Sequence, residues 1–306
     1  MDESLFTPAM SQEKVISNLI DICPDGIIGI DLKGMVTVFN HKAAVLTQRS
    51  VEDVLGKLHI KEIYGSLDQA RKIKAAIYAR DNGGRNRLEG FDTEIVNVNG
   101  DVIPICLSAV IYTEDALEIG NVGFFHDQSQ HKTLEKKLYL LSITDGLTRL
   151  FNQRHFYYVL AQEISRNQRY DRSLSMICID LDDFKKCNDR LGHLEGDNVL
   201  RRVGGMLKKI TRKSDKAFRY GGDEFFIILP ESNRQQAVIT AEKIRKTFNE
   251  SWPYVLTEGR AGEVLVTLSI GVVERLDEGS GEVLIRRADA AMYAAKKKGG
   301  DRIVAA

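Results

Sequence analysis

The order of periodic segments in this 306-residue chain predicts two units that mix helix and sheet: an α+β unit first, then an α/β unit with helices on the faces of one sheet. Three observations carry that expectation. The first half offers strand pairs at two turn signals, Lys33-Gly34 and Asn99-Gly100. The second half alternates strand, helix, strand pair, helix, strand and helix. The length is comfortable for two domains of about 100–200 residues each.

In the first half, residues 27–31 and 35–39 read as short strands flanking the Lys33-Gly34 turn. Residues 91–98 and 102–110 are β-rich runs joined by Asn99-Gly100, a strong hairpin signal. Helical stretches, among them residues 69–77, lie between these pairs, and a final strand near residues 122–126 closes the unit. Over residues 131–142 the pattern becomes helical, with Leu134, Leu138 and Leu141 four and three apart. That spacing suits either the seam of a short coiled coil or a stripe packed on a neighbouring domain. The resulting division is a first domain over residues 12–127, a linker helix over 128–144 and a second domain over 145–306.

The second domain opens with an amphipathic helix over residues 156–167 and a strand over 174–180. A helix over 197–210 follows, then a strand pair around 219–225, a helix over 234–248, a strand over 264–274 and a helix over 283–297.

Composition excludes several functions. Lys plus Arg equals Asp plus Glu at 43 each, so no overall field favours nucleic acid or an anionic membrane. Cys23, Cys106, Cys178 and Cys187 are scattered without metal-ligand spacing, which argues against zinc and a disulfide framework and for a reducing cytoplasm. The acidic start MDESLFTPAM lacks a basic leader region, and no apolar run approaches the roughly 20 residues that span a bilayer. A soluble cytoplasmic protein is expected.

The chemistry concentrates in two places. Residues 219–225 read RYGGDEF between two apolar runs, a hairpin tip loaded with carboxylate. Gly221 and Gly222 are expected to supply the positive backbone dihedrals of a tight turn and to leave no side chain in the way of a phosphate. Asp223 and Glu224 supply hard oxygen ligands of the kind magnesium takes. The strand ending at Asp180 runs into an acid-rich turn with Asp182 and Asp183. Carboxylates on neighbouring strands would make a divalent-metal site of the kind that phosphoryl transfer uses. Asp180 is assigned to the metal; Asp182 and Asp183 are assigned to capping the next helix.

RYGGDEF resembles the signature of the GGDEF family, the diguanylate cyclases, which join two GTP molecules into cyclic di-GMP. The run IDLDDFKKCNDRLGHLEGDNVL is similar to the family's D-x-D-x-F-K-x-x-N-D-x-x-G-H-x-x-G-D at every one of those positions. The resemblance implies a central mixed sheet flanked by helices, related to nucleotidyl cyclases. It implies that Asp180 and Asp223 ligate Mg2+ or Mn2+ with the Leu181 carbonyl, and that Glu224 joins them as ligand or base. Asn188 and Asp197 match the guanine-reading pair, where an amide and a carboxylate can bond the guanine edge. Lys185 and the amides of Asp183, Phe184 and Lys185 look like the triphosphate cradle. ADAAMYAAKKKGGDR resembles the family's A-D-x-A-M-Y-x-A-K-x-x-G-R-N, with Lys296 as the phosphate lysine. Gly300 stands where the family carries arginine, with Arg302 close by. Asp145-Gly146-Leu147-Thr148, with Asn152 and Arg154, resembles D-x-L-T-G-L-x-N-R-R, departs from it at Arg149 and Gln153, and is read as structural.

Arg212 and Asp215 form R-x-x-D upstream of the hairpin, as in family members with a product-binding inhibitory site, and Lys243 sits where the family often has arginine. Two charges three apart also suit plain solvated surface, but their position relative to Gly221 favours the inhibitory site. In the first half, PDGIIGIDLKGMVTVFN and GFFHDQSQHKTLEKKL resemble the opening hairpin and the exit of a PAS sensor domain. Together the resemblances imply a PAS-regulated diguanylate cyclase, active as a homodimer with GTP as substrate and cyclic di-GMP as product and inhibitor. A non-catalytic receptor for GTP or cyclic di-GMP is the alternative, and degraded acids or a broken glycine pair would favour it. The sequence assigns no PAS ligand: His59 is expected at the surface, and Cys23 and Cys106 look like ordinary small apolar residues.

Overall fold

In the computed structural model, which describes residues 12–79, 86–251, 266–276 and 280–306, the chain divides into two units at Lys136/Lys137.

The first unit begins with α1 (Gln12–Ile22), β1 (Gly26–Asp31), β2 (Val36–Phe39), α2 (His41–Thr47) and α3 (Val51–Val54). A 3-10 turn (Ile60–Glu62) and α4 (Leu67–Tyr78) lead to β3 (Arg87–Val96), β4 (Val102–Glu114) and β5 (Leu117–Asp127). The strands form one antiparallel sheet in the order β2-β1-β5-β4-β3. Asn40 explains the β2-to-α2 corner. Its buried Oδ1 accepts from the N–H groups of Ile27 and Ala43, capping α2, while Nδ2 donates to the carbonyls of Ile20 and Asp25. At the expected Asn99-Gly100 hairpin, Asn97 Oδ1 accepts from the N–H groups of Asn99 and Asp101 at 2.9 Å each, and the turn closes as the sequence predicts. Along β4, Ile105, Leu107, Ala109 and Ile111 are buried, while Val110 and Tyr112 between and beyond them are exposed. This is the period of a sheet covered on one face.

The helix α5 (Ser129–Ile143) carries no buried residue, and Leu134, Leu138 and Leu141 stand 57%, 66% and 55% exposed. The stripe is therefore open on the surface of this chain.

The second unit contains α6 (Gln153–Tyr170), β6 (Leu174–Asp182), α7 (Phe184–Leu191), α8 (His193–Ile210), β7 (Lys216–Arg219) and β8 (Glu224–Pro230). It continues through α9 (Arg234–Ser251), β9 (Thr267–Glu274), α10 (Gly281–Lys297) and β10 (Arg302–Ala305). Its sheet runs β10-β9-β6-β8-β7, parallel only between β10 and β9, and so is mixed. All nine residues of β6 are buried. Ile177, Ile179 and Leu181 face a core with Val199 and Leu207 of α8 and Ile244 of α9. Leu174, Met176 and Cys178 face a second core with Phe156 of α6 and Ala288 and Met292 of α10. Each such side chain contributes about 1.5–3 kcal/mol, so the central strand is fixed from both sides.

Three expectations about this unit are corrected. Residues 184–191 form a helix of their own, α7, and α8 begins at His193 rather than residue 197. The strand β10 has no counterpart in the sequence reading. The strand expected over residues 264–274 begins at Thr267, and residues 264–265 lie outside the described residues.

Candidate nucleotide and metal site

Asp180 near the end of β6 pairs in register with Glu224, the first residue of β8, so the two acidic segments meet at one end of the sheet. Asp223 closes the β7–β8 turn beside them. The even-numbered face of β6 that carries Asp180 and Asp182 is the face toward α6 and α10. Burial raises the pKa of Asp180, and Asp223 and Asp182 add to the rise. Glu224 is raised by burial first and then by Asp180, Asp223 and Asp289. Such a cluster of hard, partly buried carboxylates needs a cation.

Lys296, in the last turn of α10, provides one: its Nζ donates to Asp180 Oδ1 at 2.6 Å. Burial works to lower the lysine, but the hydrogen bond and charge of Asp180 outweigh it and hold Lys296 above its ordinary value. Among the described residues no three acids converge into a ready cage. Even so, the donor set fits Mg2+ or Mn2+, because its oxygens are hard, crowded and already drawing an ammonium. Leu181 lies one residue beyond the last β6–β8 pair and opposite Leu268 of β9.

Gly221 and Gly222 do not take positive φ, which corrects the expectation for the turn. Space is their contribution: a Cβ at Gly222 would meet nothing within 4 Å, and one at Gly221 would meet only Glu224 Oε2 at 3.5 Å, so the mouth stays clear. The turn is held from behind by Arg219, whose Nε and Nη2 donate to the Gly222 carbonyl at 3.0 and 2.8 Å. The same guanidinium donates to both oxygens of Asp145 at 3.3 Å. Burial alone would raise Asp145, but the Thr148 N–H and hydroxyl, with Arg219, hold its pKa below the ordinary carboxylate value. The structural role expected for residues 145–148 is therefore to brace the glycine turn. Opposite charges inside two motif segments were the signal for this pair.

The two acids assigned to capping behave otherwise. Asp183 holds the N-cap position of α7 with φ 58° but makes no side-chain capping bond, and it pairs with Lys186 at 2.9 Å. Asp182 is buried: it accepts from the Ser269 and Thr267 hydroxyls at 2.6 and 2.7 Å and from the Asp301 N–H at 3.0 Å. It ties β6 to β9 and to the segment entering β10. That contact also explains Gly300, since a Cβ there would lie 2.6 Å from Asp182 Oδ2, on a backbone with φ 71°. An arginine at this position would not fit. Arg302 bonds through Nε to the Gly300 carbonyl and lines a surface hollow with Arg245 and Glu242 beside α9.

With no side-chain cap, the first N–H groups of α7, at Asp183, Phe184 and Lys185, lack intrahelical partners and sit just beyond the strand end that carries Asp180. The Lys185 side chain is exposed. Helices α7 and α8 meet at Gly192, whose φ of 89° makes the corner. A Cβ on Gly196 would lie 1.8 Å from Asn188 Oδ1, so the Asn188 amide rests on the α8 backbone next to Asp197. Asp197 is half-buried, with Arg201 3.6 Å away.

Residues 142–302 match the family model "Diguanylate cyclase, GGDEF domain", and residues 15–128 match the PAS fold. The chain belongs to the GGDEF family. Diguanylate cyclase DosC of Escherichia coli K12 is 38% identical over 159 residues, 52% of this chain and 34% of that protein. Diguanylate cyclase A of Treponema denticola is 36% identical over 168 residues, 53% of this chain and 44% of that protein. The chain thus spans less than half the length of these curated relatives. The coiled coil and GGDEF domain of DgcB from Caulobacter crescentus, solved with c-di-GMP, superposes with TM-score 0.53 at 31% identity, covering 58% of this chain and 92% of that one. SiaD of Pseudomonas aeruginosa, solved with its activator SiaC, gives TM-score 0.52 at 34% identity, covering 58% of this chain and 67% of that one.

Within this GGDEF unit, Arg212 is exposed but Asp215 is only 8% exposed, which corrects the reading of two solvated charges. Asp215 accepts from the Arg212 N–H at 2.9 Å and so shapes the loop itself. Arg212 lines a hollow of about 550 Å³ with Arg149, Lys208, Lys213 and Lys216, against Leu140 of α5. Lys243 is exposed on α9 and is not part of this hollow. In the PAS unit a cavity of about 170 Å³ lies between α4 and the β1–β2 turn, lined by Tyr64, Ile73 and Ile77. His59 lines it too. It is half-buried, with Nδ1 accepting from the Lys61 N–H and its ring close against Gly34, so it is not the surface residue the sequence suggested.

Among the described residues no helix is long and apolar enough to cross a membrane.

Proposed function

We propose that this chain is a PAS-regulated diguanylate cyclase that condenses two GTP into cyclic di-GMP. The 3′-hydroxyl of one GTP attacks the α-phosphorus of the other and pyrophosphate leaves; the second condensation repeats this in reverse sense and releases the second pyrophosphate. Residues 145–306 would act as the catalytic domain, 12–127 as the sensor and 128–144 as the linker. Each catalytic domain holds one GTP, so two chains must face each other. The observation that carries this reading is the pairing of Asp180 with Glu224 at the sheet end, beside an open glycine turn and an uncapped helix N-terminus.

In this reading Asp180, Asp223, Glu224 and the Leu181 carbonyl hold Mg2+ or Mn2+. When bound, the ion supplies charge to the phosphoryl oxygens and makes the attacking hydroxyl more acidic. Asn188 and Asp197 bond the guanine edge, with Asp197 accepting from N1–H and the exocyclic amine. Gly221 and Gly222 let the phosphates approach, the amides of Asp183, Phe184 and Lys185 receive them, and Lys185 and Lys296 add positive charge. The raised pKa of Glu224 suits a proton acceptor for the 3′-hydroxyl as well as a ligand. Arg212 and Asp215 would form the inhibitory product site, with Lys243 on α9 outside their hollow.

The test is product analysis with purified protein, Mg2+ and GTP. Wild type should form cyclic di-GMP, and Asp223→Ala should lose about a thousandfold or more in rate at an unchanged melting temperature. Cyclic di-GMP formation by Asp223→Ala at the wild-type rate, or none from wild type at any concentration, would sink the catalytic reading.

A further inference from the structure

We infer that Lys296 is the resting counter-ion of Asp180 and changes partners when the site is loaded, moving from that carboxylate to nucleotide phosphate. The inference rests on the metal-dependent reading above and deepens it. Asp180 is nearly buried, its side chain 9% exposed, and it lies among Asp182, Asp223 and Glu224. A carboxylate so placed cannot stay ionised cheaply without a cation. Lys296 is the one that reaches it, at 2.6 Å, and among the described residues no other side chain bonds to Asp180. The neighbouring cations are engaged elsewhere: Lys297 lies 4.8 Å from the Tyr293 ring and Lys186 pairs with Asp183.

The lysine is held but not locked. Its side chain is 42% exposed, on a stem that can swing from the last turn of α10 toward the mouth of the site. Its ammonium sits on Oδ1 of the carboxylate that would hold a divalent ion, and two positive centres sharing one carboxylate repel strongly. Asp180 can therefore hold Lys296 or a metal tightly, not both. Cation binding without nucleotide must break a charge-assisted hydrogen bond, whereas bound nucleotide offers Lys296 a phosphate in exchange. Metal and nucleotide should then bind with positive coupling, and the coupling must be reciprocal. Lys296 offsets the charge of Asp180 at rest and makes loading depend on both ligands.

The experiment measures Mn2+ binding to the full chain by electron paramagnetic resonance of free Mn2+, with and without a non-reactive GTP analogue. Lys296→Met should bind Mn2+ alone about tenfold more tightly than wild type, the worth of one charge-assisted hydrogen bond. The gain in Mn2+ affinity on adding the analogue should shrink by a similar factor. Lys297→Met removes the same charge without touching Asp180 and should stay within about twofold of wild type. Lys296→Met should also melt lower than wild type without metal and be restored by saturating Mn2+. The exchange is overturned if Lys296→Met binds Mn2+ no more tightly than wild type, or if Lys297→Met tightens it equally. Mn2+ binding to wild type that is indifferent to Asp180→Asn overturns the metal reading itself, and this inference with it.

Discussion

The two sheets of this chain differ in how many faces they cover. Strand β4 in the PAS unit buries alternate residues and leaves Val110 and Tyr112 at 43% and 60% exposure, with Phe124 of β5 at 52%. Strand β6 in the GGDEF unit buries all nine. A carboxylate at the end of a strand gripped by α8 and α9 on one face and α6 and α10 on the other is held in place by packing. A sheet with an open apolar face can change what it touches at little cost to its own core. The contrast assigns precise placement to the second unit and adaptability to the first.

The strongest challenge to that contrast is a pair of truncations. Ile179→Ala, in the doubly covered strand, should cost about 2–5 kcal/mol in urea unfolding. Val110→Ala, on the open face of β4, should cost under about 0.5 kcal/mol. Equal costs would mean that the open face is covered in solution and that the comparison describes an isolated chain only.

Regulation should divide along the same line. Arg212 lies in a hollow of the GGDEF unit that Leu140 of α5 also lines, so a ligand bound there has the linker helix as its neighbour. Titrating cyclic di-GMP against Arg212→Ala should show half-inhibition moved about tenfold or more upward, the loss of one bidentate guanidinium contact. Wild type and variant inhibited alike would leave Arg212 as surface charge. A smaller effect is expected at the exposed linker stripe. A seam of three leucines is marginal alone, since each contact contributes on the order of 1–3 kcal/mol. Leu138→Lys should lower activity per chain at dilute protein and steepen the rise of rate with concentration. Activity equal to wild type at every dilution would place dimer control elsewhere, with the open PAS sheet face the next candidate.

The sequence made the repeating parts legible and the close approaches illegible. Periodicity located most of the helices and strands because burial at period 2 or about 3.6 is written in the residues themselves. The start of α7 was legible as a capping site at Asp182 and Asp183, but its eight residues give the inner stripe of Phe184, Cys187 and Leu191 too few turns to show where it ends and α8 begins. The strand β10 was hidden by its length of four residues after two glycines. Motif spacing brought Asp180 and Glu224 to one sheet end, yet it could not say that Lys296 closes on Asp180 across 116 positions. Nor could it say that Asp182 turns inward to Ser269, or that Gly300 is small because Asp182 lies 2.6 Å from where its Cβ would be. Those facts depend on which side of a strand faces which helix, and only the assembled sheet decides that.

The smallest expected effect concerns a strained residue in the GGDEF unit. Arg149 holds φ 60° at the position where the resembling motif has glycine, in the segment that braces the RYGGDEF turn through Asp145 and Arg219. A left-handed backbone costs a residue with a Cβ about 1–2 kcal/mol, and glycine returns part of that through its greater freedom in the unfolded chain. The net gain from Arg149→Gly should be about 0.5–1 kcal/mol in urea unfolding, with Arg149→Ala near wild type because it keeps the Cβ. Arg149 also lines the basic hollow with Arg212. The glycine variant should therefore weaken cyclic di-GMP inhibition while it stabilises the fold, and the alanine variant should weaken inhibition alone. If Arg149→Gly is destabilising, the left-handed turn is held by contacts of the arginine side chain, and the bracing segment tolerates no relief of its strain.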